Sequence, residues 1–390
     1  MMMPSGVAEH IAASKPAEGE FAFTGPRGAV RSAGRTAPVA SGTQDSLDER
    51  IARAFRHAGP RAIIGGALPF SRHQADHLWC AEGGSTMVHA AVGAGPIATT
   101  LRMNAAPSPR DYAGSVAKAL ELIRQDAAHQ DGLRKIVLAR TLAVSASDPI
   151  SIAGLMSRLA DDDSVTAFQV ALPGNGPSPR HLVGATPELL IEKRGRAILS
   201  NPLAGSIRRC AGPAEDAQAC GELARSDKDR REHAMVVEYI LDQLSPWCRR
   251  LGSPEGTRLT STRSMWHLHT RIVGELLDDS VPVPVLAAAL HPTPAVCGLP
   301  CQRAADLISQ LEPVARDFYA GAVGWCDNRG DGAWYVAIRC ADICGREARL
   351  YAGAGIVEGS DPMIEAAETG SKFAAMLAAL GLPADAALTD

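Results

Sequence analysis

Glu365, Glu368 and Lys372 follow one another at spacings of three and four, so on a helix their side chains share one face. Just ahead of them, Tyr351 to Val357 is small and apolar, with Gly353 and Gly355 two apart. That stretch reads as a strand ending where something must approach the backbone closely. Ser360 and Pro362 then mark a helix start, with Ser360 as N-cap. Two carboxylates and an ammonium beside such a strand end can hold a hard cation and an anionic small molecule together. The same residues also fit a solvated helix face with an ordinary Glu–Lys pair, worth roughly 0.3–0.5 kcal/mol.

A second acidic helix weighs against the solvated face. Asp229 and Glu232 are three apart on a helix starting from Ser226. The helix macrodipole favours acids in a first turn. That accounts for Asp227 and Asp229 well and for Glu232 less well. If the two acidic helices face each other, four carboxylates converge, which is costly unless a cation neutralises them. All-oxygen ligands favour Mg²⁺, which keeps some waters and bridges to an anionic ligand. From these residues alone the expectation is a metal-dependent hydrolase.

Two further residues can move protons. Lys135 opens an apolar strand, Lys135-Ile-Val-Leu-Ala-Arg140, and is either a snorkelling edge residue or a desolvated base. Glu188 follows Thr186-Pro187 and opens Leu189-Leu190-Ile191. A carboxyl beside such a segment can have a raised pKa and act as a general acid. Asn201 to Ser206 reads as a close-approach turn whose N–H groups and hydroxyl can meet an anion.

The elements that must position these groups are legible in outline. Phe21 to Thr24 and Ala29 to Ser32 read as strands around a Gly25-Pro-Arg-Gly28 turn. Ser46 is placed to cap a helix carrying Leu47, Ile51 and Phe55 on one stripe. Ser108-Pro109-Arg110-Asp111 has the cap, proline and acid of a helix start. From Val165 to Arg209 short strands follow at short intervals, so neighbours should pair antiparallel. Ala214 to Leu244 turns helical, and further strands end in the helix that runs through Phe373 to Leu380. Strands and helices are interspersed without a regular βαβ period. The expectation is an α+β chain with large antiparallel sheets and flanking helices. It would be one domain over residues 19–390 behind a flexible N-terminus of residues 1–18.

Bulk properties exclude several classes. The chain has 390 residues and a net charge of −4, so it has no basic footprint for nucleic acid. No run of about 18 apolar residues suggests a membrane span. No basic segment followed by an apolar one opens the chain, so no secretory signal is expected. Nine scattered cysteines fit reduced thiols in a cytoplasm better than a disulfide framework.

Ten motifs occur in fixed order: KIVLAR (135–140), GATPELL (184–190), PLAGSIRR (202–209), SDKDRREH (226–233), MWHLHT (265–270), HPTPAVCG (291–298), GAVGWCD (321–327), AIRCA (337–341), AGAGIV (352–357) and EAAETGSK (365–372). Together they resemble the chorismate-utilising enzymes, and within these the isochorismate synthases of the siderophore (2,3-dihydroxybenzoate) type. The resemblance runs from about Phe21 to Leu382. It implies two packed antiparallel sheets flanked by helices, with the site deep between them, and Mg²⁺-dependent conversion of chorismate to isochorismate. It implies Lys135 as the base that activates water and Glu188 as the acid that protonates the departing C4 hydroxyl. Glu232 and Glu368 would hold Mg²⁺, supported by Asp229 and Glu365. Gly205, Ser206, Arg339, Lys372 and the Gly353, Ala354 and Gly355 backbone would bind the substrate's two carboxylates, with His267 near the ring.

Lys135 stands where ammonia-using relatives typically carry Gln. Ala204 stands where aminodeoxychorismate synthases typically carry Lys. Both point to water as nucleophile. A salicylate synthase, which goes on to eliminate pyruvate, and a non-catalytic chorismate-binding protein are the alternatives. Ala366, His269 and Asp317 depart from the pattern and bear on pocket packing, not on a proposed catalytic group. The implied partner is chorismate, for a monomer that touches the next pathway enzyme only transiently.

Overall fold

The computed structural model describes residues 19–85, 101–129, 131–174 and 176–387. The expectation for residues 1–18 falls outside them. Among the described residues, seventeen strands form one antiparallel hydrogen-bonded ladder, and three more form a small separate sheet.

The strand Lys135–Ala146 organises the ladder. It pairs with Glu347–Val357 from Lys135↔Val357 to Ser145↔Glu347, with Leu101–Ala106 further along, and with the short Gly298–Leu299 strand at the lysine end. Its first eight residues are all buried, which is why the sequence there is a continuous apolar run and not an alternating one. From Glu347–Val357 the ladder continues through Cys340–Cys344, Arg180–Thr186, Thr166–Leu172 and Phe21–Gly25. It then passes through Gly28–Pro38, His77–Ser85, Ile63–Leu68, Ala322–Asp327 and Gly332–Val336 to Leu189–Arg194.

The two packed sheets expected from the sequence are therefore two halves of one ladder. Their faces meet: the Phe23 ring stacks on Tyr335 at 6.3 Å, although their strands are not neighbours. Phe21 fills the space that a side chain at Gly65 would occupy. The large apolar core contains both halves.

Helices cover the ladder. Ser108 caps Pro109–Asp126 by accepting the Asp111 N–H, as expected. The helical region after Ala214 is two helices, Pro213–Arg225 and Asp227–Leu244, with Ser226 ending one and capping the next. The last helix, Pro362–Leu380, begins one residue later than expected. Asp361, not Ser360, is its N-cap and accepts from the N–H groups of Met363 and Ile364. Ser360 turns back instead and accepts the Val357 N–H at 3.3 Å, closing the strand end. Residues 203–206 are not a turn. Leu203–Arg208 is a strand of the small sheet, paired with Met265–Thr270 and bulged at Gly205, whose φ of 76° explains the glycine.

Candidate active site

A cavity of about 80 Å³ opens where the start of Lys135–Ala146, the end of Glu347–Val357, the bulged Leu203–Arg208 strand and the two acidic helices come together. Of the residues singled out from the sequence, Glu188, Gly205, Ser206, Glu232, His267, Arg339, Gly353, Gly355, Glu368 and Lys372 line it, while Lys135, Asp229, Glu365 and Ala354 do not.

Asp227–Leu244 brings Glu232 to the cavity, and Pro362–Leu380 brings Glu368 and Lys372. Glu232 meets Lys135, whose side chain is fully buried, with Oε1 2.9 Å from Nζ. This contact is off the line a hydrogen bond needs, and Lys135 Nζ has no aligned acceptor. Glu368 accepts from Ser206 Oγ at 3.0 Å and pairs with Lys372 at 2.6 Å. Lys372 also donates to the Gly353 carbonyl at 2.8 Å. Glu365 is fully buried and pairs with Lys228 at 2.5 Å through Oε1, while its Oε2 has no partner. Asp229 accepts from the hydroxyl of its own cap, Ser226.

Burial, then the charge of Glu368, raises the Glu365 carboxyl above its ordinary range. Burial followed by Glu232 and Glu368 does the same to Asp229, against the opposing bond from Ser226. Burial pushes Glu368 in the same direction, but Lys372, Lys228 and Ser206 outweigh it and hold that carboxyl low.

The cluster suits a hard divalent cation. Its donors are all carboxylate oxygens, they repel one another, and one buried oxygen is orphaned. Among the described residues no three His, Cys, Asp or Glu side chains form a ready-made ligand group. Glu232 and Glu368 as two protein ligands match Mg²⁺, which keeps several waters.

Glu188 lines the cavity directly behind Pro187. Desolvation raises its carboxyl to about 8, against an opposing backbone bond from Leu203 and the charge of Lys135. It is therefore a protonated acid at neutral pH. His267 faces Ser206 across the small sheet, and its buried Nε2 has no partner. Burial, with Arg339 and Lys372 nearby, holds it well below the usual imidazole range, so it is neutral. Arg339 lines the cavity with φ at 53°, a backbone position that non-glycine residues seldom occupy and that is often found at functional sites. Burial lowers its guanidinium to about 10. Ala204 forms part of the wall.

Two expectations change. Ala354 is fully buried and does not border the cavity, whereas Ala352, Gly353 and Gly355 of the same strand do. Gly355 is small for a reason internal to the protein: a Cβ there would lie 2.1 Å from Glu232 Oε1 and 3.2 Å from Lys135 Cε. It makes room for the Lys135–Glu232 pair.

Sequence reasoning gave no role to three groups. Lys228 lies inside the 226–233 motif, and its partner lies 137 residues away. Tyr319 and Tyr351 stack at 4.7 Å, nearly parallel, in the cavity wall. Behind that wall Arg316 donates to the Val137 and Val296 carbonyls at 2.7 and 2.6 Å, and Glu312 accepts the Ala139 N–H. The spacing of Glu312 and Arg316, four apart, was the one local signal.

The model of the family described as "Chorismate binding enzyme" matches residues 75–381. Isochorismate synthase DhbC of Bacillus subtilis is 42% identical over 350 residues, covering 87% of this chain and 86% of that protein. Isochorismate synthase EntC of Escherichia coli is 34% identical, covering 86% of each. A crystal structure of a Bacillus anthracis chain described as a 2,3-dihydroxybenzoate-specific isochorismate synthase, DhbC, superposes with a TM-score of 0.88 at 37% identity, covering 95% of this chain and 98% of that one.

Proposed function

This chain belongs to the chorismate-binding enzyme family, and on that premise we propose that it is an isochorismate synthase that adds water at C2 of chorismate and releases the C4 hydroxyl. The product feeds 2,3-dihydroxybenzoate and catecholate siderophore synthesis, as the name of the Bacillus anthracis neighbour suggests.

The observation that carries the reading is a buried, protonated Glu188 lining one cavity with Arg339, Lys372 and Glu232, with the buried Lys135 held against Glu232 and near enough for its charge to act on Glu188. Lys135, in its neutral amine form, accepts a proton from water, and the water oxygen bonds to C2. The ring double bond shifts and the C4–O bond breaks. Glu188 gives its proton to the departing hydroxide, which leaves as water. One water is consumed and one released, and the two side chains regain their starting states by proton exchange with solvent.

Arg339 and Lys372 neutralise the substrate's two carboxylates, and neutral His267 offers its free Nε2 to a ring hydroxyl. Glu232 and Glu368 would hold Mg²⁺, with Asp229 and Glu365 behind them. When bound, the ion offsets the carboxylate repulsion and holds a substrate carboxylate. The nine free thiols and the lack, among the described residues, of a helix long and apolar enough to cross a membrane support a cytoplasmic enzyme. It would work as a monomer, which sedimentation would check.

The deciding experiment is product identification from chorismate and Mg²⁺ by NMR, with a coupled assay for pyruvate. Isochorismate without pyruvate is expected. Stoichiometric pyruvate would move the assignment to a salicylate synthase, and no turnover to a binding protein. Activity should vanish with EDTA and return with Mg²⁺. Lys135→Ala should lose turnover by at least about 10³-fold while staying folded.

A further inference from the structure

Three carboxylates of the acidic cluster each carry a lysine: Glu232 has Lys135 at 2.9 Å, Glu368 has Lys372 at 2.6 Å and Glu365 has Lys228 at 2.5 Å. The proposed reaction gives Lys135 and Lys372 their work. It gives none to Lys228. Yet Lys228 is the ammonium that reaches across from the first turn of one acidic helix to the first turn of the other.

Its position is unfavourable for both partners unless the contact matters. The Lys228 side chain is about a third exposed, so water is available to it, but it points inward to a carboxylate that is almost completely buried. The second oxygen of that carboxylate, Glu365 Oε2, is buried and unpaired. The Lys228 charge also acts on Glu232 and Glu368, the proposed ligands.

We propose that Lys228 is a built-in counter-ion that holds the acidic cluster together while no divalent cation is bound, and that it competes electrostatically with that cation and so sets a weak metal affinity. This inference rests on the Mg²⁺ reading of the cluster. A fixed positive charge one residue layer from a cation site must weaken cation binding. For charges a few ångströms apart the penalty is on the order of tenfold in affinity, even with the screening expected near a surface. In return, four acids on two facing helices can stay folded without metal. A weak site lets the ion enter and leave with each substrate and not lock the helices together permanently.

The test compares wild type with Lys228→Gln, which keeps an N–H donor for Glu365 but no charge, and with Lys228→Arg, which keeps the charge. Mg²⁺ is titrated by calorimetry, and melting temperature is followed against MgCl₂ concentration. Lys228→Gln is expected to bind Mg²⁺ about tenfold more tightly and to melt lower than wild type without metal. Added Mg²⁺ should close that gap. Lys228→Arg should keep wild-type affinity. Equal or weaker Mg²⁺ binding by a folded Lys228→Gln would overturn the counter-ion role and leave the metal reading intact. If wild type itself binds no Mg²⁺, with or without chorismate, the metal reading and this inference fall together. Should Lys228→Gln not fold even with Mg²⁺, Lys228→Met in a Glu365→Gln background removes both charges at once. Unchanged Mg²⁺ affinity in that folded pair, relative to Glu365→Gln alone, counts against the inference.

Discussion

Glu188 shows how a single side chain can connect chemistry to stability. Its carboxyl sits at about 8 chiefly because burial disfavours the anion. A general acid must carry its proton, so turnover should fall as pH rises through about 8. Glu188→Gln should lose at least about 10²-fold in kcat and lose that alkaline limb. Stability moves with the same group. The folded value lies above the unfolded one, so the contribution is fully present below about 4.5 and is lost as pH rises toward 8. Glu188→Gln should therefore gain on wild type by about 3 kcal/mol between acid pH and pH 7. Urea titrations of both proteins across pH 4.5–8 measure it, and parallel curves would show that the carboxyl is not buried as described. At this scale the sequence was informative: an acid directly before Leu-Leu-Ile already suggested a desolvated carboxyl. Lys228 was opaque, because a lysine beside acids in a helix's first turn looks like an ordinary solvated pair until the helix opposite is in place.

Elements explain why some readings succeeded and others failed. Helical spacing placed Asp229 and Glu232, and Glu365, Glu368 and Lys372, on common faces, and those faces do meet. Local polar chemistry was less decisive. Ser360 and Asp361 are both good caps, and the strand end claims the serine by giving it the Val357 N–H, which leaves Asp361 for the helix. Residues 203–206 follow a proline, contain a glycine and look like a turn, but pairing with Met265–Thr270 makes them a strand with a bulge. Tertiary partners decided both cases, and no local pattern contains them. The crossing of strand and helix at Gly355 is equally specific. Gly355→Ala would push a methyl group into the Glu232 carboxylate, displacing a flexible side chain and not backbone. We expect a folded protein, destabilised by no more than about 1–2 kcal/mol, whose Mg²⁺ affinity and turnover each fall at least about tenfold. Thermal melting, Mg²⁺ calorimetry and steady-state kinetics read the three quantities. Normal metal binding in the variant would mean that the Lys135–Glu232 pair tolerates being moved.

On the scale of the whole molecule, strands were legible from their apolar runs, but their order in the ladder was not. Lys135–Ala146 finds its longest partner about 200 residues later, in Glu347–Val357, with pairing unbroken from Lys135↔Val357 to Ser145↔Glu347. Such pairings tie the chain's ends into one cooperative unit, and buried histidines record that closure. His291 donates from Nε2 to the Pro69 carbonyl at 3.0 Å, a contact spanning 222 residues. Burial, with Arg72 nearby, lowers its imidazole to about 4. His233, bonded to Thr270, is likewise lowered to about 4 by burial. Here the folded value lies below the unfolded one, so the contribution is present above about 6.5 and is lost as pH falls from there toward 4. Each histidine should cost about 2.5 kcal/mol between pH 7 and pH 4.5, because the unfolded chain binds a proton that the folded one refuses. His291→Gln can keep the bond to Pro69 without titrating. It should be less stable than wild type at pH 7, where a fitted ring is lost, yet lose less on acidification. Denaturant unfolding at pH 7 and pH 4.5 gives both differences. An unchanged acid loss in His291→Gln would mean that the junction opens to solvent before the rest of the ladder, so that the two halves are not held as one unit.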